Sequence, residues 1–193
     1  MPPFRLRGIN MRLFYAVEFD EKTKDVLIAR QSILKSNSVK ANFTRRENLH
    51  LTLRFMGELA HADFTELQKI QDLVSKRHSP FELEISNIGV FERGQKSIVW
   101  AGIKENQNLL QLQRDLEKEI TVNGFRPENR PYKPHITLAR EFIPKGDIYK
   151  TIKEAGVLQH KFNIKSISLM ESTRMNGKLT YLCRYRTELC KGS

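Results

Sequence analysis

At 193 residues the chain is long enough for one substantial core or two closely joined lobes, and its 39% hydrophobic content holds no apolar run near the ~20 residues of a membrane span. That reads against a membrane partner. A net charge of +11 points instead to a polyanion, nucleic acid first, held by a phosphate attraction that weakens with salt. Cys183 and Cys190 have neither metal-ligand spacing nor a disulfide framework, so they read as ordinary thiols of a reducing, cytoplasmic compartment.

Residues 1 to 10 carry Arg5 and Arg7 but no core pattern and no secretory leader, and read as an extension. Apolar alternation predicts a first strand over 11–19, followed by a helix over 21–36 and a strand over 48–56. A helix over 63–77, with Asp63 as its N-cap, leads to strands 80–91 and 96–103, turned through Gly94. Then come a helix over 106–123, a strand over 134–140 and a helix over 147–156 capped by Asp147. Strands 161–172 and 179–187, turned at Asn176-Gly177, close the chain, and the second of them completes the sheet begun by the first strand. No Gly/Ser/Pro linker interrupts this order. The expectation is one α+β domain over 1–193, two interlocked antiparallel lobes with outer helices around a central cleft.

One phrase occurs twice: His50-Leu51-Thr52-Leu53 and His135-Ile136-Thr137-Leu138. Residues two apart share a strand face, so each phrase offers an imidazole and a hydroxyl on one face and apolar side chains on the other. A shift of 85 residues superposes the phrases and also lays Arg12–Val17 on Ser97–Gly102, with Ala16 on Ala101. The strands opening at Phe81 and Phe162 match at a shift of 81. The order strand, helix, His-Thr strand, helix, strand thus repeats over about 11–91 and 96–172. A pseudo-two-fold axis between the copies would bring both histidines into one cleft. There one imidazole can take a proton while the other gives one.

Basic residues gather around the phrases: Arg45, Arg46 and Arg54 near the first, Arg130, Lys133 and Arg140 near the second. Neither phrase supplies a Cys, Asp or Glu as a third zinc ligand, and no cofactor is expected. His61, His78 and His160 lack a partner at useful spacing and read as surface residues, while Phe14 and Trp100 read as core. Strict alternation would aim Phe55 and Arg140, each five residues past its histidine, away from the histidine face. On that pattern alone Phe55 is core and Arg140 a solvated charge.

These residues resemble the 2H phosphoesterase superfamily, in particular its RNA 2′,3′-cyclic phosphodiesterases, also called 2′-5′ RNA ligase-like proteins. The resemblance covers nearly all of 11–187, through Arg12–Val17, Asn48–Gly57, Arg130–Arg140 and the closing hairpin. It implies metal-independent hydrolysis of a 2′,3′-cyclic phosphate at an RNA 3′ end, or on a nucleoside, to a 2′-phosphomonoester; the two lobes, each completing the other's cleft, make a monomer sufficient. The near-symmetry leaves the histidine roles interchangeable; the resemblance assigns His50 as proton donor and His135 as acceptor. By the same resemblance Thr52 and Thr137 bind the non-bridging oxygens, and Arg140 binds phosphate. Phe55 is then divided between base stacking and packing, and Tyr132 between a nucleotide contact and a loop role. The family pattern also requires each strand to end, twist or bulge after its threonine. Two other readings share these residues: 2′-5′ RNA ligation by the same acid-base pair, and a non-catalytic module that binds RNA ends. The mark of the second would be damage to a histidine or threonine, and both pairs are intact.

Overall fold

The computed structural model describes residues 10–156 and 159–190, so the extension expected over 1 to 10 lies almost wholly outside the described residues. The elements in chain order are β1 (Asn10–Glu18), α1 (Glu21–Ser36), β2 (Ser38–Phe43), β3 (His50–Ala60), α2 (Phe64–Ser75), β4 (Phe81–Arg93) and β5 (Lys96–Ile103). They continue with α3 (Gln107–Val122), β6 (His135–Pro144), α4 (Ile148–Ala155), β7 (His160–Ile164), β8 (Ser166–Met175) and β9 (Lys178–Glu188). The strands form two antiparallel sheets, ordered β3-β1-β8-β9 and β2-β6-β5-β4-β7.

The halves of the chain are exchanged between the sheets. β2 and β4, from the first half, join the sheet of the second His-Thr strand, whereas β8 and β9 join the sheet of the first. One buried cluster runs through Leu13, Tyr15, Leu51 and Leu53 on one side and Val99, Ala101, Ile136 and Leu138 on the other. Helices cover the outer faces because their apolar residues recur at helical spacing. α1 buries Leu27, Gln31 and Leu34, and α3 buries Leu109, Leu112, Leu116 and Ile120. Gln31 is polar but satisfied: its side-chain amide donates to the carbonyls of Thr44 and Leu138, both at 2.8 Å, tying α1 to the second His-Thr strand.

Several sequence expectations are corrected. β2 has no counterpart among the predicted elements because Ser-Val-Lys-Ala-Asn-Phe is a half-exposed edge strand with little apolar signal. The strand expected over 161–172 is two strands parted at Lys165, since β7 stays at the edge of one sheet and β8 crosses to the other. Phe81 and Phe162 are therefore not counterparts but neighbours, on paired strands where Leu83 faces Phe162; by position in its sheet, β4 answers to β8.

The 85-residue shift slips by one in the leading strands. Leu13 and Tyr15 enter the core as Val99 and Ala101 do, a shift of 86, so Ala16 and Ala101 face opposite ways. The turns are as expected. Asn176 and Gly177 both take positive φ (50° and 77°) in the two-residue β8–β9 turn, and Gly94 (φ 62°) turns β4 into β5. Asp147 caps α4, accepting from the Lys150 amide at 2.7 Å, but the Asp63 carboxylate instead reaches back to the Ala60 amide.

Candidate active site

Each histidine opens its strand, His50 on β3 and His135 on β6, and each is pinned in the same way. The Nδ1–H of His50 donates to the Asn48 carbonyl and that of His135 to the Lys133 carbonyl, both at 2.7 Å. A carbonyl can only accept, so Nδ1 carries the proton and Nε2 is left as the nitrogen available for proton transfer. In His50 that Nε2 meets the Thr52 hydroxyl at 3.0 Å. Both histidines, Thr52, Thr137, Arg140 and Phe55 line one cleft of about 360 Å³.

Phe55 and Arg140 reach this cleft because the alternation breaks at matching places. Leu53 and Arg54 are buried in succession before exposed Phe55, and Leu138 and Ala139 in succession before exposed Arg140. The ladders skip there: Ala16 faces Thr52 but Tyr15 faces Arg54, and Trp100 faces Thr137 but Val99 faces Ala139. Each bulge inserts one residue and returns the following side chain to the histidine face. Phe55, 39% exposed, is neither plain core nor free: it stacks on Phe14, with ring centres 6.4 Å apart, and takes the Arg12 guanidinium over its face at 5.0 Å.

Aromatic side chains back both histidines. The centre of the His50 ring lies 4.9 Å from that of Phe14 and 5.1 Å from that of Tyr181, which it meets edge-on. His135 meets Phe91 edge-on at 5.2 Å and Trp100 at 6.4 Å. Phe14 is core as expected, buried with Ala16 and Met170, and its ring also walls the cleft, whereas Trp100, likewise read as core, is only half-buried and stands beside His135. Burial pulls the His50 pKa from 6.5 to about 4; the Asn48 carbonyl opposes the shift, and Arg140 and His135 add to it.

The basic residues near the phrases divide into two groups. Arg46 is held by Glu21 and Asp25, Arg130 by Glu128, and buried Arg54 by Glu117 at 2.5 Å. Arg54 also donates to the Arg126 carbonyl at 2.6 Å and fastens the loop before β6. Arg140 has no acidic partner among the described residues, so its charge is available to the cleft. Tyr132 donates to the Thr52 carbonyl at 3.0 Å, fixing the same loop to β3, and it lines an adjoining groove rather than the cleft. Lys133 lines that groove too.

His78, expected at the surface, is buried and bonded through Nε2 to Asp115 at 3.0 Å. His160 bonds Thr23 at 3.0 Å, and His61 is exposed. Sequence reasoning missed Arg12, Phe91 and Tyr181 as parts of the site. They come from strands without a His-Thr phrase, and only the sheet topology brings them near the histidines. Among the described residues no three His, Cys, Asp or Glu side chains gather as metal ligands would, and no helix is long and apolar enough to cross a membrane.

Residues 28–176 match the model of the 2′-5′ RNA ligase superfamily. The chain belongs to the 2′-5′ RNA ligase superfamily. Within it, the RNA 2′,3′-cyclic phosphodiesterase of Methanothermobacter thermautotrophicus is 35% identical over 173 residues, covering 89% of this chain and 92% of that protein. The protein of the same name from Thermotoga maritima is 28% identical and covers 94% and 99%. The crystal structure of TT0787 of Thermus thermophilus superposes with a TM-score of 0.81 at 22% identity, covering 95% of this chain and all of that one. That of E. coli LigT complexed with 3′-AMP gives 0.78 at 24%, covering 94% and 99%. At such identities the structures speak for the fold, which this superfamily member shares.

Proposed function

We propose that the protein hydrolyses RNA 2′,3′-cyclic phosphate ends to 2′-phosphomonoesters. The observation that carries this reading is the matched pinning of two imidazoles, each presenting Nε2 toward a cleft that also holds two threonines and an arginine without an acidic partner. The named activity of relatives that align over most of their length supports it.

In this mechanism His135 Nε2 takes a proton from water as its oxygen bonds to phosphorus. The bond from phosphorus to O3′ breaks, and His50 Nε2–H gives its proton to O3′. One water is consumed, and a 2′-phosphate and a 3′-hydroxyl result. Thr52, Thr137 and Arg140 donate to the non-bridging oxygens, where negative charge grows. The Thr137 hydroxyl has no hydrogen-bond partner among the described residues, so it is available for this. In the ligand-free protein burial keeps His50 neutral; the anionic phosphate beside it restores the protonated form that an acid needs. Phe55 offers its ring to the base, and Tyr132 acts through Thr52. One chain supplies every group, so a monomer suffices, and the exposed free thiols Cys183 and Cys190 suit a reducing cytoplasm.

The test is product analysis with chelator present, on an RNA ending in a 2′,3′-cyclic phosphate. A 2′-phosphate is expected. A 3′-phosphate, a 2′-5′ joined product, no turnover, or turnover lost to chelation would each overturn the reading.

A further inference from the structure

A second groove of about 540 Å³ opens from the cleft, sharing Arg140, Leu179 and Tyr181 with it. Arg45, Arg174 and Lys178 also line it, and Arg45 is met by Glu47 at 2.8 Å. Arg174 spends one N–H on the Gly177 carbonyl at 3.0 Å, and neither it nor Lys178 has an acidic partner among the described residues. The groove's carboxylate, Glu141, is already met by Lys96 at 3.1 Å and Asn42 at 3.3 Å. Its surface is therefore net positive, exposed and continuous with Arg140.

The groove on the other side of the cleft differs. It is lined by Phe55, Phe91, Pro131 and Tyr132, its Arg54 and Arg130 are neutralised by Glu117 and Glu128, and Lys133 alone of its cations has no acidic partner among the described residues. Phosphodiesters gain from free cations and lose nothing by staying near water, while base and sugar faces suit apolar walls. The two grooves thus have different chemistry at the two ends of one site.

Resting on the cyclic-phosphate reading of the cleft, we infer that the groove between β2 and the β8–β9 hairpin carries the RNA backbone on the 5′ side of the cyclised nucleotide. Arg174 and Lys178 contact its phosphodiesters. These two residues take no part in the chemistry, so a single cyclic nucleotide does not use them. An oligonucleotide does.

The experiment compares a nucleoside 2′,3′-cyclic phosphate with a tetraribonucleotide bearing the same end, for the wild type and an Arg174→Glu/Lys178→Glu variant. The wild type is expected to favour the tetranucleotide in kcat/KM through a lower KM. The variant should lose about tenfold on it and stay within about twofold on the mononucleotide. With two phosphates no longer neutralised, the log–log salt slope of tetranucleotide binding should fall by about 1.4. Equal losses on both substrates, or no preference in the wild type, would overturn the inference. Failure to turn over even the mononucleotide would count against the catalytic reading instead. Fluorescence-anisotropy binding of a 2′-phosphate-ended tetranucleotide then still decides the groove, since unchanged affinity in the variant contradicts it.

Discussion

Trp100 lies flat on Gly89, its partner across the β4–β5 ladder: a Cβ on Gly89 would fall 2.3 Å from the indole Cζ2. No side chain fits between them, and the indole so held backs His135. We expect Gly89→Ala to displace Trp100 and loosen His135, lowering kcat with little change in KM. A crystal structure of the variant with an unmoved indole, or unchanged kcat, would rule this out.

Asn48 does for His50 what no residue of the motif does. Its carbonyl holds His50 Nδ1, while its side chain accepts from the Tyr181 amide at 3.1 Å and donates to the Leu179 carbonyl at 2.9 Å. It clamps β9, with the Tyr181 wall, against the strand that carries His50. In Asn48→Asp the donor to Leu179 is gone and a buried carboxylate oxygen faces that carbonyl, which keeps only its bond from Arg45, a cost of about 1–3 kcal/mol. Chemical denaturation should show that loss, together with a fall in kcat; equal stability of the two proteins would refute the clamp.

The depressed His50 pKa links pH to stability with a definite sign. The unfolded imidazole titrates near 6.5 and the folded one at about 4, so between these values the unfolded chain binds a proton that the native state refuses. The stability associated with neutral His50 is thus complete above about pH 6.5 and lost as pH falls toward 4, up to about 3 kcal/mol. Denaturation of wild type and His50→Gln across pH 4–7 should differ by this slope. In NMR, inorganic phosphate should move the His50 titration upward. Parallel pH curves for the two proteins would contradict the assignment.

The paired phrases, all four helices, most of the strand patterns and both hairpin turns were legible because each rests on local periodicity or turn chemistry. The exchange of strands between sheets was not, since nothing in Phe81 or Phe162 tells which partner its strand will take. Free energy of pairing decides that, and the 81-residue match misled. The bulges at Leu53-Arg54 and Leu138-Ala139 were legible only as a requirement of the resemblance. Nothing in the local pattern marks them: at the first, buried Arg54 is satisfied by Glu117 from α3, and at the second, Ala139 pairs with Val99 across the ladder. Likewise the cation count near the histidines overstated the free charge, because sequence does not reveal that Arg46, Arg54 and Arg130 are paired.

The division of labour between His50 and His135 is open to a direct chemical test. A cyclic substrate with sulfur in place of O3′ has a leaving group that departs without a proton, so it bypasses the acid but not the base. On the ordinary substrate both His50→Ala and His135→Ala should lose about 10²- to 10⁴-fold in kcat. On the sulfur substrate His50→Ala should regain most of its loss while His135→Ala stays impaired. Rescue of His135→Ala instead, or no rescue of either variant, would contradict the assignment of His50 as the proton donor.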